Sequence, residues 1–468
     1  MRAMQSHRTQ VSPMTQARSF QSAPSGFARY LAWFEELYCI FCLLFFAGAF
    51  TLTVRQTLGV PVTSGDPLTT LLNVVTLVAT MALVALRYRR VIQMAKRGLL
   101  LWLFVGFCCL SVLWSRDPDF TIDQSITLLR VTLFGLYFAA RYTLAEQLRL
   151  LARTACIVVV GSLLYGVALP SYGVTGRGGE LTDQALRHLG AWRGLFVHKN
   201  VLGRVLGLCT VVLFLQARQG GRRAWMFWLV WGLTGILAVG SQSKTAIAMY
   251  VSLSTLLALA STLRWKFVLS VPVWLTAIAI SFCLVALLLY NFETILELAG
   301  RDATLSGRTK LWTAAMTQLF HRPLLGYGYS AFWRADSQPM LALWFEAGFD
   351  PRNGHNGFLD LALELGSIGL LSFFLTFAVT AGRSLLWALR SRDAVGLYPL
   401  GLLAYMVAAN LSESPLLQHN LMWTLYVASS LTVCTRSQWR SAPGREPQTG
   451  SPLPLPNPEV KSQPTALT

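Results

Sequence analysis

The sequence predicts an all-α polytopic membrane protein of about 12 transmembrane helices, with one large extracytoplasmic loop between helices 9 and 10. Three observations predict it. Charged residues make up 13% of the 468 residues, where a soluble chain carries roughly 25%. Hydrophobic residues reach 54%, and the mean hydropathy of +0.50 is spread along the chain instead of being confined to one anchor. The basic residues alternate between successive junctions, as they do when a chain crosses a membrane repeatedly. A soluble core cannot absorb so many long apolar runs. In a bilayer each helix satisfies its own backbone polar groups and lipid solvates the side chains.

The elements follow in order. Residues 1–32 are rich in Ser, Gln and Arg, hold no acid, and are expected to form a disordered basic cytoplasmic tail. Residues 33–290 hold transmembrane helices 1–9, with runs at 33–54, 68–87, 98–114, 122–140, 150–170, 194–217, 224–240, 244–262 and 266–290. Residues 291–354 form the large loop, and residues 355–434 hold helices 10–12 at 356–380, 394–411 and 417–434. Residues 435–468 are a Pro-rich cytoplasmic tail whose proline spacing sustains no helix.

Loop charges test this count. Arg87, Arg89, Arg90, Lys96 and Arg97 follow the second run, and Arg141 and Arg149 follow the fourth. Arg218, Arg222 and Arg223 follow the sixth run, Arg264 and Lys266 the eighth, Arg383, Arg390 and Arg392 the tenth, and Arg436 and Arg440 the twelfth. The short odd-numbered junctions are nearly free of Lys and Arg, so both termini are expected in the cytoplasm. The net charge of +18 is accounted for by this alternation and does not call for nucleic acid as a partner. The eight cysteines all sit in apolar runs, where Cys behaves as a small hydrophobe, and neither a disulfide framework nor a zinc site is expected.

The large loop is too aromatic to be a mere linker. It holds Trp312, Phe320, Tyr327, Tyr329, Phe332, Trp333, Trp344, Phe345 and Phe349. A helix is expected from Thr309 to Phe320, with Trp312, Ala315, Met316, Leu319 and Phe320 on one face and Pro323 ending it. The loop is therefore expected to fold as a cap on the membrane surface.

Three segments carry polar residues that a membrane scaffold does not need. The first, Ala191 to Gly203, places Arg193, His198, Lys199 and Asn200 at the outer end of the sixth run, where ionisable groups default to functional readings. The alternative is an interfacial anchor whose cations snorkel to headgroups. The second, Leu305 to Trp312, sets Arg308 at the start of the loop helix. There unpaired N–H groups and a planar guanidinium suit a phosphate; an ordinary capped helix is the alternative. The third, Asn353 to Asp360, sets His355 where water meets lipid, as a general base for a hydroxyl, with Asn356 as the helix cap in the bland reading. Asp360 and Glu364 follow one turn apart and are expected to orient a partner or to pair with a basic group such as Arg130.

No phosphate loop of the GxxxxGKS type occurs, and the outer acids Asp302, Asp336, Glu346 and Asp350 are scattered, so neither a cofactor nor a metal is expected. The pieces fit the transfer of a sugar whose anomeric carbon is activated by a lipid diphosphate. His355 takes the proton of the acceptor hydroxyl, and Arg193 and Arg308 stabilise the departing diphosphate. Aromatics such as Tyr329, Trp333 and Trp344 are candidates for stacking on sugar rings.

At these residues the chain resembles the O-antigen ligase and Wzy-type polymerase superfamily, and within it the exopolysaccharide polymerase branch. The resemblance is carried by Trp192 to Gly203, Ser241 to Ala246, Gly307 to Trp312, Arg322 to Tyr329, and His355 to Leu359 with Leu363 to Gly366, in that order. It implies a bacterial inner-membrane glycosyltransferase with its active site facing the periplasm. The donor would be an undecaprenyl-diphosphate-linked oligosaccharide, transferred with inversion and without metal to a glycan acceptor. It also implies that Arg193, Arg308 and His355 are catalytic, and it adds Lys244 as a further cation. His198, Asn200, Lys244, Asn356, Tyr329 and Trp333 are then the expected substrate-binding set. The resemblance leaves open whether the acceptor is a growing glycan or a lipid A core. Membrane lipid and other polysaccharide export components are expected partners. A transporter and a non-catalytic assembly protein are the readings of other classes. No internal repeat supports the former, and the polar groups cluster at the outer face instead of the midplane.

Overall fold

The computed structural model describes residues 26–49, 67–177, 188–262, 308–334, 337–348, 351, 353–391, 393–418 and 420–434. Among them the chain is helical throughout, with no strand and a single isolated bridge between Val174 and Trp192. The helices are α1 (Gly26–Ala47), α2 (Pro67–Leu86), α3 (Tyr88–Ala95), α4 (Leu99–Leu110), α5 (Pro118–Arg141), α6 (Leu144–Ala168) and α7 (Lys199–Arg218). They continue as α8 (Ala224–Gly240), α9 (Lys244–Thr262), α10 (Arg308–His321), α11 (Gln338–Ala347), α12 (Gly357–Arg390), α13 (Tyr398–Asn410) and α14 (Leu421–Thr432). Every predicted run except the ninth overlaps one of them; the ninth lies outside the described residues, as do residues 435–468. α1 begins inside the segment expected to be a disordered tail.

Six helices are long and apolar enough to cross a bilayer, in α1, α2, α6, α7, α9 and α12, as in a multi-pass membrane protein. A seventh would be the pair formed by α3 and the stretch Leu99–Trp114, bent by 89°. α5 has the length but carries Asp119, Asp123, Arg130 and Arg141, and α8 and α13 are apolar but short.

Local chemistry starts these helices where the sequence supplies a cap. Asp117 accepts from the Phe120 N–H ahead of α5, with Pro118 in the first turn. Thr143 and Glu146 form a reciprocal capping box at α6. Asn420 accepts from the N–H groups of Met422 and Trp423 at α14. Each such cap contributes about 1 kcal/mol. α7 is the central helix, packed on α6, α8, α9 and α13, while α14 lies along α5. Trp423 of α14 is fully buried and donates to Thr132 Oγ1 at 2.8 Å.

α12 is interrupted at Gly366, whose φ is 66° and ψ −169°. The stretch from Pro323 to Gly328 enters this break. Tyr327 N–H donates to Leu363 O at 3.0 Å and Gly328 N–H to Glu364 O at 2.8 Å, while Ser367 N–H donates to Pro323 O at 2.8 Å and Ile368 N–H to Leu324 O at 3.2 Å. Two of the sequence motifs, Arg322 to Tyr329 and Leu363 to Gly366, are therefore the halves of one interlock. On its far side Trp114 Nε1 donates to Leu325 O at 2.9 Å and Arg116 N–H to Tyr327 O at 3.0 Å.

Around the interlock a small second core joins α10, α11 and α12 through Leu311, Ala314, Ala315, Tyr327, Phe332, Leu343, Ala347 and Leu363. This corrects the expected face of α10. The buried positions are Leu311, Ala314, Ala315 and Gln318, one step round from the predicted stripe, and Phe320 is 72% exposed. The partner of α10 is α11 and α12 together, and it is their direction of approach, absent from the sequence, that selects the face.

Candidate active site

The segment that leads into α7 is held by backbone contacts. Arg193 N–H donates to Gly173 O at 2.8 Å and Trp192 N–H to Gly240 O at 2.9 Å. Arg193 itself is only 5% exposed, and its Nε donates to Tyr172 O at 2.9 Å. His198 caps α7 by accepting from Asn200 N–H on Nδ1 at 3.2 Å, and its ring meets His188 edge-on at a centroid distance of 5.7 Å. Burial holds the His198 imidazole below its usual pKa, with the charges of His188, Lys199 and Arg193 acting in the same direction.

The loop before α12 carries His355. Its φ of 48° is left-handed, which is rare for a residue with a side chain, and its N–H donates to Asn353 Oδ1 at 3.0 Å. Gly354 ties this loop in two directions: its N–H donates to Asp360 Oδ1 at 3.0 Å, and its carbonyl accepts from Trp312 Nε1 of α10 at 2.8 Å. The Trp312 contact ties the start of α10, which carries Arg308, to the loop that carries His355. Burial first, and then the charge of Arg308, push the His355 imidazole below the usual histidine range. It is therefore neutral at neutral pH, the form that accepts a proton.

Sequence reasoning missed the residue that links these segments. Glu413 lies in the short turn between α13 and α14, and its Oε1 accepts from Asn200 Nδ2 at 3.1 Å. Its Oε2 is 3.9 Å from His355 Nδ1, and its backbone oxygen accepts from Gly357 N–H at 3.1 Å. Burial raises the Glu413 carboxyl pKa, against the pull of Arg204 and Arg308. Arg204, one turn after Asn200 on α7, was missed as well. The available signal was an acid in the Ser412-Glu413-Ser414 turn and an arginine inside an apolar run, both placed where ionisable groups are expensive.

The remaining expected site residues divide. Asn356 is occupied as the α12 cap, its Oδ1 accepting from the N–H groups of Phe358 and Leu359. Trp333 is half-buried, edge-on to Phe332 at 5.0 Å. Tyr329 is fully buried in the main core, with its hydroxyl donating to Leu417 O at 2.6 Å, so it presents no face for a sugar to stack on. Its place in the interlock explains why: the Gly326 and Gly328 turns carry the following ring inward. Lys244 is exposed at the start of α9, and Ser243 caps that helix through Ala246 N–H at 3.4 Å. Asp360 does orient a partner, the Gly354 backbone, but no ion pair joins it or Glu364 to Arg130 among the described residues.

The comparisons bear on the same stretch. Residues 227–374, which contain Lys244, Arg308 and His355, match the O-antigen ligase family model. The exopolysaccharide production protein ExoQ of Rhizobium meliloti (strain 1021) is 27% identical over 304 residues. That match covers 62% of this chain and 66% of the relative, just under two thirds of its length. The chain is thus similar to the O-antigen ligase and Wzy-type polymerase superfamily, near its exopolysaccharide branch, as its five ordered motifs imply.

Proposed function

We propose that this chain is a glycosyltransferase that joins undecaprenyl-diphosphate-linked oligosaccharide repeat units into exopolysaccharide, on the periplasmic side of the bacterial inner membrane. The observation that carries this reading is the convergence of His355, Arg308, Asn200 and Glu413, which come from four separate segments, in a chain similar to an exopolysaccharide production protein. His355 is the base for the acceptor hydroxyl. Arg308 and Arg193 face the diphosphate, so the departing charge meets guanidinium groups without a metal, and attack opposite the leaving group inverts the anomeric carbon. His198, Lys244 and Trp333 are assigned to binding donor and acceptor; Tyr329 and Asn356 serve the fold.

The proposed topology has about 12 spans, both termini in the cytoplasm and the 291–354 cap outside. Side-chain pairing supports it. Arg87, after the second run, and Arg141, after the fourth, both reach Glu35 near the start of α1, at 2.6 and 2.7 Å. Those three points belong to one membrane face in the charge alternation. The odd-numbered junctions meet elsewhere, where Asn200, His355 and Glu413 gather.

The family model is described as a ligase, and a ligase transferring glycan to lipid A core would use the same donor chemistry. The test separates the readings. A strain lacking this gene is complemented with wild type, His355→Ala, Arg193→Ala or Arg308→Ala at matched membrane abundance. Polymerase function predicts that the variants accumulate single lipid-linked repeats and make no polymer. Normal polymer with unmodified lipid A core indicates a ligase. Loss of polymer without lipid-linked repeats indicates transport or assembly, and wild-type polymer from all three variants contradicts the site.

A further inference from the structure

We propose that Glu413 is a positioning residue for the transfer: its carboxylate receives the Nδ1–H of His355, sets Nε2 toward the acceptor hydroxyl, and balances the imidazolium once the proton has moved. The inference rests on the polymerase reading and deepens it.

Several observations meet here. His355 Nδ1 is buried and has no hydrogen-bond partner among the described residues, although the side chain as a whole is 35% exposed. The open edge of the ring is therefore the one that bears Nε2, and Nδ1 must find its partner in the protein. Glu413 Oε2 is the acceptor at hand, at 3.9 Å, about 1 Å beyond a hydrogen bond and within reach of a small side-chain rotation. The carboxylate is held from the opposite side, since Asn200 Nδ2 binds Oε1 and leaves Oε2 directed at the ring. The Glu413 carbonyl accepts from the N–H of Gly357, two residues after His355, which ties the two backbones together. His355 is also kept in its left-handed conformation, a strain of the kind that accumulates where a side chain must be aimed.

The charges around the pair require such a partner. The charge of Arg308 on α10 acts on both His355 and Glu413, and that of Arg204 on α7 acts on Glu413; Asp360 of α12 is engaged by Gly354. With cations on these sides, an imidazolium formed during the reaction is opposed unless a carboxylate offsets it. In the step itself the acceptor oxygen bonds to the anomeric carbon as the bond from that carbon to the diphosphate oxygen breaks. The electron pair leaves with the lipid diphosphate, facing Arg308, and the hydroxyl proton passes to Nε2. Glu413 holds the opposite N–H throughout, and the proton returns to water after product departs. Asn200, expected to bind substrate, is on this reading the residue that orients Glu413.

The test uses the full chain purified into lipid vesicles, with lipid-linked repeat units extracted from the strain lacking the gene. Rate against pH is measured for wild type, Glu413→Gln, Glu413→Asp and His355→Ala. Glu413→Gln is expected to lower kcat by about 10–100-fold, less than the roughly 100–10,000-fold that a positioned general base contributes, with KM within about twofold. Activity needs neutral His355, so it falls as pH drops through that pKa. Without the carboxylate the imidazolium is less stable, and the acid limb of Glu413→Gln should move to lower pH by about one unit. Glu413→Asp should recover part of the rate. Wild-type rate and profile in Glu413→Gln, with His355→Ala inactive, overturns this inference and leaves the polymerase reading standing. A lowered rate with an unmoved acid limb assigns Glu413 a structural role and also overturns it. No polymer from the wild type overturns both.

Discussion

His355 and Arg308 are brought together by a contact that neither makes: the indole N–H of Trp312 on the Gly354 carbonyl, at 2.8 Å. That bond ties the start of α10 to the loop before α12, and burial, with the charge of Arg308 acting in the same direction, holds the imidazole below the usual histidine range. Neutrality is useful to a base, and a planar guanidinium is useful to a diphosphate because it donates two parallel hydrogen bonds. Arg308→Lys keeps the charge and loses the fork. Its kcat is expected to fall by about 10–100-fold, short of the roughly 100–1,000-fold typical for deleting a donor to developing charge. Initial rates on lipid-linked repeats, at an unchanged thermal midpoint, check this. The residue scale also shows what sequence alone could not decide. Arg308 and His355 stood out in the sequence as candidates because their residue types are rare at a membrane boundary. Tyr329 was misread as a sugar platform because an aromatic after a glycine turn looks the same whether its ring points outward or, as here, into the core. Glu413 stayed hidden because its value lies in partners about 60 and 200 residues away along the chain.

The helices that matter to the site are shaped by the interlock between α12 and the 323–328 stretch. Gly326 and Gly366 both have positive φ, near 67° and 66°, and each lies against the other segment's backbone. A side chain at Gly366 would meet the backbone of Leu324 and Leu325, which cannot withdraw without losing the four cross-bonds. Gly366→Val is therefore expected to destabilise the protein by at least the ~1–3 kcal/mol typical of a side chain forced into such a conformation. Gly382 lies in the same helix with open space about it, so Gly382→Ala is expected to be neutral or stabilising by up to about 1 kcal/mol. Thermal midpoints of the two purified variants check the contrast; equal midpoints contradict it. Helix positions were legible because apolar runs declare themselves, and the end of α10 followed from Pro323. The buried face of α10 was not, because a helix with apolar residues on several sides takes its orientation from its neighbours.

At the scale of the whole molecule, two polar assemblies sit at different junctions. One is the buried Glu35 with Arg87 and Arg141, where the carboxylate is wholly inaccessible and both guanidinium groups bond to it. Such a buried group is strongly destabilising if one partner is removed, on the order of 3–5 kcal/mol, so it fixes α1, the junction of α2 with α3, and the end of α5 relative to one another. The other is the candidate site, gathered from α7, α10, the start of α12 and the turn before α14. Charge alternation groups the residues of the first in sequence, though it does not announce the ion pair. The second was legible only as three separate segments, since no local rule says which junctions meet. The central claim, that this assembly joins lipid-linked repeats with His355 as base, is tested most directly by counting linkages made by the purified full chain in vesicles supplied with those repeats. Polymer of many repeats, one polyprenyl diphosphate released per linkage, an inverted anomeric configuration, and no product from His355→Ala are expected. Repeats left single by the wild-type chain, or polymer from His355→Ala at the wild-type rate, would contradict that claim.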